Sequence, residues 1–138
     1  MGRIVALDYG KKRTGIAVTD ILKITANGLD TIETPKLWDF LVNYITKEEV
    51  EALVVGEPTR MNDEPSEIEK SITPFVNRFK KQFPQIPVYR QDERFTSKMA
   101  MQAMIAGGVK KMARRNKALV DKVSATIILQ SFLEQHNL

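Results

Sequence analysis

An uninterrupted apolar run, Ile4-Val5-Ala6-Leu7, ends abruptly on Asp8-Tyr9-Gly10. A strand that is apolar at successive positions is covered on both faces, which places it in the middle of a sheet with helices packed above and below. An acid at the end of such a strand lies where an α/β sheet opens a crevice to its ligands. Two further strands follow at short range. Thr14-Gly15-Ile16-Ala17-Val18-Thr19 is small and β-branched, and an extended segment covers about Ile24 to Thr31, so the first three strands form a meander.

From Pro35 the apolar period changes. Leu37, Leu41 and Ile45, joined by Trp38 and Val42, share one face of a helix, with Trp38 expected in the core. Ala52-Leu53-Val54-Val55-Gly56 is a second buried strand, and Glu57 to Pro65 reads as an exposed loop. Ile68, Ile72, Phe75, Phe79 and Phe83 then recur at helical spacing until Pro84 stops the pattern. Val88-Tyr89-Arg90-Gln91 is a third central-type strand, running into Asp92-Glu93-Arg94-Phe95-Thr96-Ser97. Thr96 or Ser97 is placed to cap a helix carrying Met99, Ala100, Met101, Ala103, Met104 and Ile105, with the methionines as core filler and Gly107-Gly108 as its end. A last helix covers about Lys117 to Glu134, with Asp121, Ala125, Ile128 and Phe132 on one stripe. The expectation is one α/β domain over residues 1–138: a mixed sheet of about five strands, the first three a meander, flanked by helices.

Three carboxylates stand where packing alone would not put them: Asp8 and Glu93 at strand ends, and Asp121 on a helical face aimed at the sheet. A cluster of oxygen ligands suits hard cations, Mg²⁺ or Mn²⁺, which keep waters and bind phosphates. Two such ions can activate a water and stabilise the leaving oxygen of an in-line displacement at phosphorus. Each acid also has a plainer reading: Asp8 as a turn former, Asp121 as a partner of the helix dipole, and Glu93 as a surface ion pair with Arg94 or Arg90. Other chemistries have little to work with. Cysteine is absent, and the only histidine, His136, lies three residues from the end and is expected in solvent.

Net charge is +4, and the basic residues are clustered. Lys11, Lys12 and Arg13 form one group, and Lys110, Lys111, Arg114 and Arg115, with Lys117 and Lys122, form another. Lys11, Lys12, Arg13, Lys110, Lys111, Arg114 and Arg115, with Arg60 and Arg94, are the candidate phosphate contacts. The amino terminus lacks a signal-peptide pattern and no apolar run reaches the roughly 20 residues that span a bilayer, so a cytoplasmic protein with no membrane contact is expected.

Four segments taken together, Ala6 to Asp20 with its Asp8-Tyr9-Gly10 and Arg13-Thr14-Gly15, Val54-Val55-Gly56-Glu57-Pro58, Asp92-Glu93-Arg94-Phe95-Thr96-Ser97, and Lys117 to Ala125, resemble the YqgF family, also called RuvX. They occur in that family's order along nearly the whole chain. The resemblance implies an RNase H-like fold and a nuclease with metal-binding acids at Asp8, Glu93 and Asp121. It further implies either maturation of the 5′ end of the 16S ribosomal RNA precursor, in association with pre-ribosomal particles, or resolution of Holliday junctions in branched DNA. Glu57 and Asp92 stand beside the expected site, and on an extended chain only one of Asp92 and Glu93 faces it. Two other functions are compatible with parts of the pattern. Asp8-Tyr9-Gly10 with Thr14-Gly15 also resembles the phosphate loop of actin-like ATPases and sugar kinases, but those enzymes need a second lobe. A non-catalytic RNA-binding assembly factor would keep the same basic residues and use the acids structurally.

Overall fold

The computed structural model describes residues 2–23, 25–58, 67–92, 96–108 and 116–136, with the side chains of residues 96–98 and 101 left aside. Five strands form one sheet: β1 (Arg3–Tyr9), β2 (Arg13–Thr19), β3 (Ala26–Glu33), β4 (Val50–Glu57) and β5 (Val88–Asp92), in the order β3-β2-β1-β4-β5. β1 to β3 are antiparallel neighbours, whereas β4 and β5 join β1 in parallel. The third strand begins and ends two residues later than its expected span. Its register, Arg13 with Glu33 and Thr19 with Ala26, includes an irregularity between Ile16 and Ala17 that sequence alternation does not reveal.

The described helices are α1 (Leu37–Lys47), α2 (Glu69–Gln82), α3 (Thr96–Ala106) and α4 (Lys117–His136). Pro35 belongs to a short 3-10 turn, Thr34–Lys36, and α1 starts after it. Pro74 is the sixth residue of α2 and removes the N–H that would otherwise donate to the Lys70 carbonyl, a cost the packing of Ile72, Val76 and Phe79 offsets. α3 is followed by Gly108 at φ 78, a left-handed position that suits glycine. None of the described helices is long and apolar enough to cross a membrane.

Strand alternation sends two sets of side chains to opposite faces. Val5, Leu7, Ile16, Val18, Leu53 and Val55 pack with Leu37 and Leu41 of α1 and with Ile72, Val76 and Phe79 of α2. Ile4, Ala6, Ala17, Ala52 and Val54 pack with Ala125, Ile128, Leu129 and Phe132 of α4. Trp38 is only partly buried. Its ring lies at the rim of the first cluster, edge-on to Phe75 at 5.9 Å, with the Arg78 guanidinium 3.8 Å from its centroid. The methionines divide as well: Met104 is buried, Met99 is 45% exposed, and Ile105 on the same helix is 52% exposed. His136 is exposed as expected, yet its ring stacks on Phe132 with centroids 4.1 Å apart.

Candidate active site

β1, β4 and β5 run in parallel, so their carboxyl ends lie along one edge of the sheet. Asp8 occupies the end of the central strand, directly across from Gly15 of β2. Its even-numbered neighbours Ile4 and Ala6 face α4, and alternation puts Asp8 on that same face. Gly15 is the residue that lets the helix come down beside it. A Cβ on Gly15 would overlap the backbone carbonyl of Asp121, so only glycine admits α4 at this depth. Asp8 and Asp121 therefore share one side of the sheet, the Asp121 carbonyl lying over Gly15, the cross-strand partner of Asp8.

Asp121 lies in the second turn of α4. Asn116 caps this helix, its Oδ1 accepting from the N–H of Ala118 at 3.0 Å and of Leu119 at 3.2 Å. Asp121 lies beyond the first turn, which holds no acid and is capped by Asn116, so it is outside the reach of the helix dipole. What Asp121 meets instead is Arg13, whose Nε donates to Oδ2 at 2.9 Å. Arg13, expected as a phosphate contact, is thus paired with one of the expected acids. β2 starts on the same face, and the guanidinium reaches across to neutralise the acid.

The turn between β1 and β2 is pinned from one side. Thr34 Oγ1 donates to the Gly10 carbonyl at 2.6 Å and pairs with Thr14 Oγ1 at 3.0 Å, and the Thr34 N–H donates to the Lys12 carbonyl at 2.9 Å. A Cβ on Gly10 would overlap the Arg13 carbonyl, so this turn too depends on a glycine. Lys11 and Lys12 stand exposed on it. Nothing in the hydrophobic pattern points to Thr14 or Thr34; a buried threonine just inside a strand start is the one signal, and it is weak. Tyr9, beside Asp8 but on the α2 face, has its ring 5.4 Å from that of Phe75, and burial raises its phenol above the ordinary pKa.

Glu57 and Asp92 pair across β4 and β5 at the same end of the sheet. By alternation they follow Val55 and Arg90, which face α2: Val55 belongs to the α1 and α2 cluster, and Arg90 binds Glu69 of α2 at 2.6 and 2.8 Å. Both acids are thus on the side away from Asp8 and Asp121. Arg90 also donates to the carbonyls of Val55 and Gly56, at 3.2 and 3.0 Å, so it serves as a clamp between β4, β5 and α2. Glu93, Arg60, Arg94, Lys110, Lys111, Arg114 and Arg115 lie outside the described residues, as does any cap supplied to α3 by the residue before it. Among the described residues no group of three or more acids or histidines gathers to hold a metal. Two of the three expected acids are among them, and those two share a face.

A sheet of order 3-2-1-4-5, with an antiparallel meander, parallel fourth and fifth strands, and a long helix bringing an acid over the central strand, is the frame of an RNase H-like nuclease. Solved structures agree on the fold. Thermus thermophilus RuvC in complex with a Holliday junction substrate superposes with a TM-score of 0.59 at 17% identity, covering 99% of this chain and 96% of that one. The fowlpox virus Holliday junction resolvase gives 0.56 at 15% identity, covering 96% and 99%. The chain matches the family model "RuvX: Holliday junction resolvase" over residues 2–135 and belongs to the RuvX family. Among its relatives, a Phocaeicola vulgatus protein named "Putative pre-16S rRNA nuclease" is 60% identical over 134 residues, 97% of this chain and 96% of that protein. One of the same name from Bacteroides fragilis is 56% identical over 138 residues, the full length of both.

Proposed function

We propose that this chain, acting as one domain, is a divalent-metal-dependent endonuclease that cleaves phosphodiester bonds in the 16S ribosomal RNA precursor at its 5′ end, in the cytoplasm. The observation that supports this reading is that Asp8 and Asp121 lie on the same, α4, face of the sheet, with the Asp121 backbone packed over Gly15, the residue paired with Asp8. Both donors are carboxylate oxygens, the chemistry that Mg²⁺ or Mn²⁺ selects. Asp8, Asp121 and Glu93 would hold the metal, which supplies a nucleophilic water and stabilises the leaving oxygen. The chain's own residues supply the frame. Asp8 is held by strand pairing, Asp121 by helix packing, and Lys11 and Lys12 by a turn tied to Thr34. With Arg60, Arg94, Lys110, Lys111, Arg114 and Arg115 these basic residues would contact phosphates, fixing the substrate without reading its sequence.

The names of the relatives favour the RNA precursor, and association with pre-ribosomal particles follows from that substrate. A second reading, resolution of four-way DNA junctions, is favoured by the description of the matching family and by the fold shared with RuvC. The deciding experiment is cleavage of a 16S precursor RNA and of a synthetic four-way junction, side by side, with Mg²⁺ or Mn²⁺. Cleavage of the RNA at its 5′ leader with the junction intact is expected. Junction cleavage alone would transfer the assignment to DNA, and metal-independent binding with neither substrate cut would leave an RNA-binding assembly factor.

A further inference from the structure

Asp121 already carries a cation. The Arg13 guanidinium uses Nε alone for that contact, at 2.9 Å, and its Nη1 and Nη2 donors have no partner among the described residues. Arg13 is 35% exposed and Asp121 24%, so the pair is within reach of solvent rather than sealed under the sheet. The arginine follows directly on the exposed Lys11 and Lys12, in a turn whose backbone is tied to Thr34. An ion pair between the acid of one site and the base of an adjoining phosphate-facing turn is not needed for stability, since half-exposed pairs contribute little. Placed here, it has a different consequence. A guanidinium and a divalent cation sharing one carboxylate repel each other, whereas a phosphate arriving beside Lys11 and Lys12 offers the guanidinium a better partner, with its fork geometry matched.

We propose that Arg13 is a resident counter-ion that couples metal loading to substrate binding. In the free protein it holds Asp121. When nucleic acid enters, the guanidinium passes to a phosphate and releases the carboxylate to the metal. The inference rests on the metal-site reading above and adds to it a residue that acts on Asp121, a positioning residue rather than a metal ligand. Linkage makes the effect reciprocal: nucleic acid raises the affinity for metal by the factor by which metal raises the affinity for nucleic acid.

The test is Mn²⁺ titration by calorimetry on the full-length protein without nucleic acid, comparing the parent with R13Q and R13K, alongside thermal melts and cleavage of the precursor RNA. R13Q should bind Mn²⁺ about fivefold more tightly than the parent, the equivalent of releasing one half-exposed ion pair. R13K, which keeps a cation against Asp121, should bind as the parent does. Cleavage by R13Q should nevertheless fall, because the phosphate loses its partner; tighter metal with slower cleavage is a combination that a purely structural role for Arg13 does not produce. Equal or weaker Mn²⁺ binding by an R13Q that melts normally would overturn the counter-ion role and leave the metal site standing, as would R13K gaining affinity like R13Q. Absence of Mn²⁺ uptake by parent and variants alike would overturn the metal site itself and this inference with it.

Discussion

On the α1 and α2 side, the sheet meets its helices through large side chains, Leu7, Ile16, Leu53, Ile72 and Phe79 among them, all 1% exposed or less. On the α4 side the strands present the small Ala6, Ala17, Ala52 and Gly15 beside Ile4 and Val54, and the helix contributes Ala125, Ile128, Leu129 and Phe132. Both sides are closed to water, but they differ in how near the helix can come. Large residues on both partners hold the layers apart. The absence of a side chain at Gly15 lets the Asp121 backbone of α4 lie directly over β2. The first face is packed throughout; the second carries Asp8 and Asp121 beyond its apolar part. The apolar ends of both faces lie away from the acids, so the two roles are separable by substitution.

Asp8→Asn marks the extreme of that separation. It should lower metal-dependent cleavage by about 10³-fold or more, the several kcal/mol a bound metal supplies, while nucleic-acid binding and melting temperature stay near the parent values. Cleavage and melting measured on one preparation check it, and equal cleavage by the variant would remove Asp8 from the mechanism. Phe79→Ala is the mirror case on the other face. It should cost about 3–5 kcal/mol in denaturant unfolding, with cleavage retained wherever the variant is folded. Gly15→Ala falls between, since it touches both roles. Its methyl group must push α4 outward, costing about 1–3 kcal/mol and displacing Asp121, so stability and Mn²⁺ affinity should drop together.

The smallest effect belongs to Glu69→Gln. The Arg90 guanidinium beside Glu69 holds its carboxyl below the ordinary value of 4.5, helped by a hydrogen bond from Thr73 and opposed by burial. A depressed folded pKa contributes stability that is fully present above the unfolded value and lost as the pH falls through the folded one. The substitution should thus cost about 1–2 kcal/mol at pH 7, and the difference between parent and variant should shrink on acidification below pH 4.5. A constant difference down to pH 3 would place the contribution elsewhere than in the ion pair.

The sheet was largely legible in the sequence because its strands carry their burial in their composition. Ile4 to Leu7 and Ala52 to Val55 are apolar at every position, as covered central strands are, and the spacing of Leu37 with Leu41 and of Ile72 with Phe79 marks the helices that cover them. The third strand was less legible because it is an edge: Asn27, Gly28, Leu29 and Asp30 are exposed and carry no alternation. Asp8 and Asp121 could be singled out as acids at apolar boundaries. Their placement on one face could not be derived from spacing, because it depends on Gly15 admitting a helix more than a hundred residues further along the chain. Nor could the pairing of Arg13 with Asp121 be seen. A basic residue next to Lys11 and Lys12 reads as one more phosphate contact until β2 and α4 are superimposed. The choice between Asp92 and its neighbour needed the register of β5 on β4, which puts Asp92 beside Glu57 and on the α2 face.

The account stands most directly on the division of acids between the two faces, and Mn²⁺ calorimetry on four single variants tests it. Asp8→Asn and Asp121→Asn should each remove high-affinity Mn²⁺ uptake, whereas Glu57→Gln and Asp92→Asn should leave the dissociation constant within about twofold of the parent, the scale of a weak surface charge effect. Uptake that survives Asp121→Asn and disappears with Asp92→Asn would put the metal on the α2 face and contradict the site described above.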